Sequence, residues 1–234
     1  MFRFKHFNVS QEHCAMKVGT DGVLLGAWAE GGRKILDIGT GTGLLSLMLA
    51  QRFPQAQITA IDIDSGACRQ AQINIQESPF SKQVEVFEKS IQNYTQEAVS
   101  ANQSFDCIVC NPPYFVNSLK APDAQRSTAR HTDTLPHRQL LQCVERLLSE
   151  QGTFSCILPT ELADGFLGEA AITGLSPTRR TDIKTTPSKP PKRTLLELRR
   201  GFHGMMTRET AVLQTTEGKR TDWYQQLTDD FYLF

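Results

Sequence analysis

The chain has 234 residues, 39% of them hydrophobic, and its 25 Lys+Arg balance 25 Asp+Glu. That is room for one substantial α/β domain, and a net charge of zero leaves bulk charge silent about partners. No apolar run approaches the ~20 residues of a membrane span, and the start Met1-Phe2-Arg3-Phe4-Lys5-His6 lacks the apolar core of a signal peptide. A cytoplasmic protein with no membrane partner is expected.

Taken in order, the chain opens on an N-terminal segment (1–33) whose helix carries Leu24, Leu25 and Trp28. Residues 34–38 predict a first strand, and 43–52 a helix that stops near Pro54. Residues 58–63 predict a second strand, 65–76 a helix, and 84–87 and 105–110 two more strands. A helix over 136–148 leads to a fifth strand at 153–158, completing a core over 34–160. The remainder, 161–234, reads as a helix over 161–171 and strands at 178–185 and 194–202. Lys189-Pro190-Pro191-Lys192-Arg193 is the turn between those strands. Such alternation, seven strands in all, predicts an α/β fold: a parallel sheet with helices on both faces, in a single domain. Residues 115–135 are polar without clear period, and a loop of that length beside a candidate site is more often functional than idle.

The first strand runs into Asp37-Ile38-Gly39-Thr40-Gly41-Thr42-Gly43 and then a helix. Gly39, Gly41 and Gly43 allow a ligand to approach the backbone closely. About 20 residues on, Asp62 ends the second strand, where a carboxylate accepts both hydroxyls of a ribose. A dinucleotide and S-adenosyl-L-methionine both satisfy these features, although the third glycine of the dinucleotide pattern falls on Leu44.

Asn111-Pro112-Pro113-Tyr114, at the end of the fourth strand, narrows the choice. An amino group conjugated to a ring or carbonyl is a poor nucleophile, and activating it takes acceptors for its two N–H bonds. The Asn111 carboxamide supplies one acceptor and the Pro112 carbonyl the other, with proline holding the backbone in place. The Tyr114 ring offers a face for stacking a planar substrate such as an extruded base. Both sites fall at the carboxyl edge of one sheet, which favours S-adenosyl-L-methionine.

Two further features are expected to be less informative. The six cysteines are scattered and read as free thiols; Cys107 and Cys110 point to opposite faces of a strand, and no metal site is expected. Between residues 179 and 200, eight Lys and Arg stand against Asp182 and Glu197. That asymmetry fits either a nucleic-acid-facing patch or a solvated hairpin tip.

The glycine loop, Asp62 and Asn111-Pro112-Pro113-Tyr114, in this order, resemble the S-adenosylmethionine-dependent amino-methyltransferases of the Rossmann-like class I fold. The stretch Met16-Lys17-Val18-Gly19-Thr20-Asp21-Gly22-Val23-Leu24-Leu25-Gly26-Ala27-Trp28, the segment from Arg126 to His131 and the ending Asp230-Phe231-Tyr232-Leu233-Phe234 are similar to one family in particular. It is the bacterial family that methylates N6 of adenine 37, beside the anticodon of a valine tRNA. The resemblance implies a tRNA partner and RNA binding. It implies Asp37 at the methionine amino group or the loop amides, Asp62 at the ribose, and Ser90 near the adenine, where the family carries an acid. Thr20 and Asp21 would close over the methionine end of the cofactor, although either serves equally well as a helix N-cap. Asn111, Pro112 and Tyr114 would be catalytic. Pro113, Phe115, Arg126, Arg130 and His131 would meet the RNA, with a loop histidine bonded only to its neighbours as the alternative for His131; by its charge, the hairpin with Lys192 and Arg193 would hold the RNA backbone. A monomer is favoured. The alternatives are a glutamine N5-methyltransferase acting on a release factor, which usually carries a sizeable N-terminal helical domain, an NAD oxidoreductase, and a non-catalytic RNA-binding protein on a methyltransferase fold.

Overall fold

In strand β3 (Lys34–Ile38) successive side chains go to opposite faces of the sheet. Ile35 packs in one apolar cluster, Leu36 and Ile38 in another, and both clusters are closed by helices. A strand buried on both faces belongs in the middle of a parallel sheet, and β3 pairs in parallel with β4 (Gln57–Asp62) and β6 (Phe105–Cys110). Cys107 and Cys110 obey the same alternation, one in each cluster. Burial pushes the Cys107 thiol up to about 12.

The computed structural model describes residues 1–12, 18–112 and 136–233. In chain order the remaining elements are β1 (Phe2–Arg3), β2 (Asn8–Val9), α1 (Thr20–Trp28), α2 (Leu44–Arg52), α3 (Ser65–Gln76), β5 (Val84–Glu88), α4 (Ile91–Ser100), α5 (His137–Leu147), β7 (Leu148–Pro159), α6 (Thr160–Ile172), β8 (Leu175–Lys184), β9 (Arg193–Arg200), β10 (Thr207–Val212) and α7 (Asp222–Thr228). The large sheet runs β10-β8-β9-β7-β6-β3-β4-β5. Only β9 is antiparallel to its neighbours. Helices α1, α2 and α3 cover one face, and α4, α5 and α6 the other.

The sheet has eight strands, one more than the sequence predicts. The extra one, β10, reads TRETAV and buries only Ala211, so no alternation announces it. Helix α4 is also unforeseen. Its inward stripe of Ile91, Tyr94, Thr95 and Ala98 has the helical spacing, but a threonine interrupts the apolar pattern. Thr95 is buried because its hydroxyl donates to the Ile91 carbonyl.

Candidate active site

Ile61, Ile38 and Cys110 are register partners on β4, β3 and β6. The next residues, Asp62, Gly39 and Asn111, therefore stand at one level of the carboxyl edge. With neighbouring strands ~4.8 Å apart, Asp62 and Asn111 are about 10 Å from each other, with the glycine loop between them. Chain order reverses here, since β4 and β5 build to one side of β3 and β6 begins the other. That is where ligands bind in open α/β sheets.

The loop's backbone explains its glycines. Gly39, Gly41 and Gly43 have φ of 70°, 56° and 81°, values that side-chain-bearing residues rarely adopt. A Cβ on Gly39 would point into open space, so that backbone faces outward toward a ligand. A Cβ on Gly43 would lie 3.3 Å from that of Ala71, where the start of α2 approaches α3. The Gly39 and Thr40 N–H groups donate to the Ile61 carbonyl, and the Gly41 N–H donates to Asp62 Oδ2 at 2.9 Å. The Asp64 N–H donates to Asp62 Oδ1 at 3.0 Å. A carboxylate has about four acceptor positions, so these two bonds aim Asp62 and leave capacity for a diol.

Asp37 is fully buried beneath the loop. Its Oδ2 accepts from the Thr40 and Ser46 hydroxyls, each at 2.7 Å, and its Oδ1 has no partner among the described residues. Burial pushes its carboxyl up to about 6, against the pull of the two hydroxyls. An unpartnered buried acceptor is costly, and a cationic ammonium would satisfy it. The residues present thus fit S-adenosylmethionine: an open glycine backbone, an aimed carboxylate for the ribose, and a buried acceptor for the amino group. The Gly39, Thr40 and Gly41 amides go to the Ile61 carbonyl and Asp62, which leaves the amino group as the contact for Asp37.

Asn74 and Ser46 are site residues the sequence reading missed. Asn74, 1% exposed on α3, donates to the Thr42 carbonyl at 2.8 Å and to the Ser10 carbonyl at 3.0 Å, and accepts from the Ser10 N–H at 2.9 Å. One side-chain amide therefore ties the glycine loop to the N-terminal segment. Ser46 carries no sequence signal beyond lying on the first turn of the helix after the loop. Ile63, directly after Asp62, is 54% exposed, an apolar side chain left at the cofactor edge.

Two further candidates stand at the starts of helices. Ser90 is the N-cap of α4, its hydroxyl oxygen accepting from the Asn93 N–H at 3.2 Å. Thr20 is exposed and is the first residue of α1, whose N-cap is Gly19, so neither Thr20 nor Asp21 caps the helix. Asp21 instead accepts from Arg193 Nε at 2.7 Å, joining α1 to the start of β9. Asn111 is half-buried and Pro112 buried. Pro113, Tyr114, Phe115, Arg126, Arg130 and His131 lie outside the described residues.

The basic segment is much less basic in space than in sequence. Arg179 pairs with Glu197 and lies 3.6 Å over the Trp28 ring. Arg180 pairs with Asp182 and Asp164, Arg199 with Glu30, and Arg200 with Glu145. With Arg193 on Asp21, all five arginines have carboxylate partners, mostly from distant parts of the chain. The three lysines, Lys184, Lys189 and Lys192, make no ion pair among the described residues.

A Rossmann-like sheet with this loop, this acid and Asn111-Pro112 at one edge defines an S-adenosylmethionine-dependent methyltransferase. The model of the methyltransferase small domain matches residues 16–136. A tRNA1(Val) (adenine(37)-N6)-methyltransferase of Bacteroides fragilis is 46% identical over 99% of this chain and 97% of its own, and one of Trichodesmium erythraeum is 43% identical over the same shares. The chain belongs to this methyltransferase family. Among solved structures, a predicted O-methyltransferase from Agrobacterium tumefaciens shares the fold, with a TM-score of 0.71 over 90% of this chain and 96% of that one at 18% identity.

Proposed function

We propose that the protein transfers a methyl group from S-adenosylmethionine to N6 of adenine 37 in the anticodon loop of a valine tRNA. The observation that carries this is the placement of Asn111, level with Asp62 and Gly39, where an amino-group acceptor adjoins the cofactor cradle. The names of the relatives supply the nucleotide.

The cofactor supplies an electrophilic methyl group. Asn111 Oδ1 accepts one N6 hydrogen and the Pro112 carbonyl the other, which turns the nitrogen lone pair toward that methyl. As the nitrogen bonds it becomes acidic, and its proton leaves to water or to Asn111, so no dedicated base is required. Tyr114 stacks the flipped base, with Pro113 and Phe115 beside it, while Arg126, Arg130 and His131 meet phosphates. An anticodon-loop base is already unpaired and costs little to extrude. Thr20, Asp37, Gly39, Gly41, Gly43, Asp62 and Ser90 surround the cofactor. The Ser90 hydroxyl accepts from its helix and retains its O–H, which suits an adenine ring nitrogen better than the amino group an acid would take.

Incubating the protein with labelled S-adenosylmethionine and total tRNA, followed by nucleoside mass spectrometry and digestion mapping, tests the reading. N6-methyladenosine at position 37 is expected. Label on a protein glutamine or on guanine overturns it.

A further inference from the structure

The carboxyl edge of the sheet is electrically polarised about Asn111, although the whole chain is neutral. On the side of β4 and β5 stand Asp62, Asp64 and the exposed Glu88, the last a register partner of Asp62. Lys89 on that side is paired with Glu97. On the other side, beyond β7, the β8–β9 hairpin reads Lys184-Thr185-Thr186-Pro187-Ser188-Lys189-Pro190-Pro191-Lys192-Arg193, four cations and no acid.

Register locates that hairpin. Cys156 is level with Cys110, and Arg193 is opposite Pro159, three residues further along β7. The start of β9 is two strands from β6, about 10 Å, and Lys192 rises about 10 Å above the level of Asn111. The tip therefore overhangs the catalytic asparagine from the side opposite the cofactor. It is also stiff. Pro187, Pro190 and Pro191 fix their own φ. The Lys192 N–H donates to the Ile183 carbonyl, the Thr160 N–H to the Lys192 carbonyl, Lys184 Nζ to the Pro187 carbonyl, and Arg193 is locked on Asp21. The acids beside it are Asp21 and Asp182, already engaged by Arg193 and Arg180, and Glu161, next to Thr160. The neighbouring turn between β10 and α7 offsets Lys219 and Arg220 with Glu217 and Asp222, which leaves the hairpin as the net positive feature of that side.

We propose that this proline-braced hairpin is the grip for the RNA backbone flanking the flipped base. On this account Lys189 and Lys192 contact phosphates, Arg193 is a brace, and the acidic β4–β5 edge turns the polyanion away from the cofactor side. A rigid display of ammonium groups binds phosphate with little ordering of the protein. The proposal rests on the tRNA reading above and assigns the path the RNA takes across the site.

The test compares K189E and K192E with K82E, an equal charge change at an exposed lysine just before β5, at the opposite edge of the sheet. Each hairpin variant is expected to raise the tRNA KM roughly 3–10-fold at low salt and to make the salt dependence shallower by about one phosphate contact, with S-adenosylmethionine affinity unchanged. K82E should do neither. If wild type methylates tRNA while the hairpin variants behave like K82E, the grip lies elsewhere and the enzymatic reading stands. If wild type labels a protein and no tRNA, the reading itself falls and the grip with it.

Discussion

The Asn74 side chain donates to the Thr42 carbonyl across 2.8 Å, coupling α3 to the glycine loop. Asn74→Ala leaves the Thr42 carbonyl and the backbone N–H and carbonyl of Ser10 without this partner. Buried groups stripped this way cost about 1–3 kcal/mol each at most, and relaxation of the N-terminal segment recovers part, so a loss of about 2–4 kcal/mol is expected in denaturant titration. Gln70 accepts from the Glu12 N–H at 3.0 Å and donates to Asn74 Oδ1 at 3.5 Å. Asn74→Asp keeps the acceptor for Ser10 and loses the donor to Thr42, so it should weaken S-adenosylmethionine binding by calorimetry, whereas Gln70→Ala should not. Equal cofactor affinity in both variants would reduce Asn74 to a purely structural role.

Asp37 makes cofactor binding and stability depend on pH in opposite senses. Its folded carboxyl titrates at about 6 against 3.8 unfolded. Between those values the folded state holds a proton that the unfolded state has lost. This group therefore favours the fold as pH falls through 6, by up to about 3 kcal/mol once pH is well below 3.8, and that gain is lost as pH rises. Cofactor binding runs the other way, because an ammonium at Oδ1 needs the ionised carboxylate. The dissociation constant should weaken by up to tenfold per pH unit below about 6, and Asp37→Asn should flatten that profile. An unchanged profile in Asp37→Asn would remove Asp37 from the cofactor contact.

Asp37, Asp62 and Asn111 were legible because each is tied to a local pattern: a strand running into glycines, a strand ending in an acid, an asparagine before prolines. The bond from Asn74 to Thr42 spans 32 residues and that from Arg193 to Asp21 spans 172. Such pairs exist only once the sheet has brought its edges together. The same limit made residues 179–200 look like a broad cationic patch, since the carboxylates that neutralise its arginines include Asp21, Glu30, Glu145 and Asp164. Strand β10 escaped for a different reason: an edge strand with one buried residue needs little apolar sequence.

Arg179 illustrates what those pairs do for stability. Glu197 is 3% exposed and depends on Arg179 and the Thr178 hydroxyl, while the Arg179 guanidinium also donates to the Trp28 carbonyl. Arg179→Met leaves a buried carboxylate without its cation and should cost about 2–4 kcal/mol, below the range for fully buried pairs because Arg179 is partly exposed. Replacing both partners, Arg179→Met with Glu197→Leu, should recover much of the loss in chemical denaturation. If the double variant is as unstable as the single one, packing on Trp28 outweighs the charge.

Asn111 carries the sharpest prediction, because its backbone position is fixed by the β3–β6 register while its side chain is assigned to the reacting nitrogen. Asn111→Ala removes one preorganised acceptor, worth roughly 10²–10³-fold in kcat for comparable single contacts in other enzymes. The cofactor cradle of Asp37, the glycines and Asp62 is built from other strands, so S-adenosylmethionine affinity should change little. Asn111→Asp keeps an acceptor and adds a negative charge facing an approaching polyanion, so it should retain more kcat than the alanine variant while raising the tRNA KM. Single-turnover methyl transfer with saturating cofactor separates the two effects. Full activity in Asn111→Ala would mean that the amino group is activated by other groups, and the hydrogen-bond account of the chemistry would have to be abandoned.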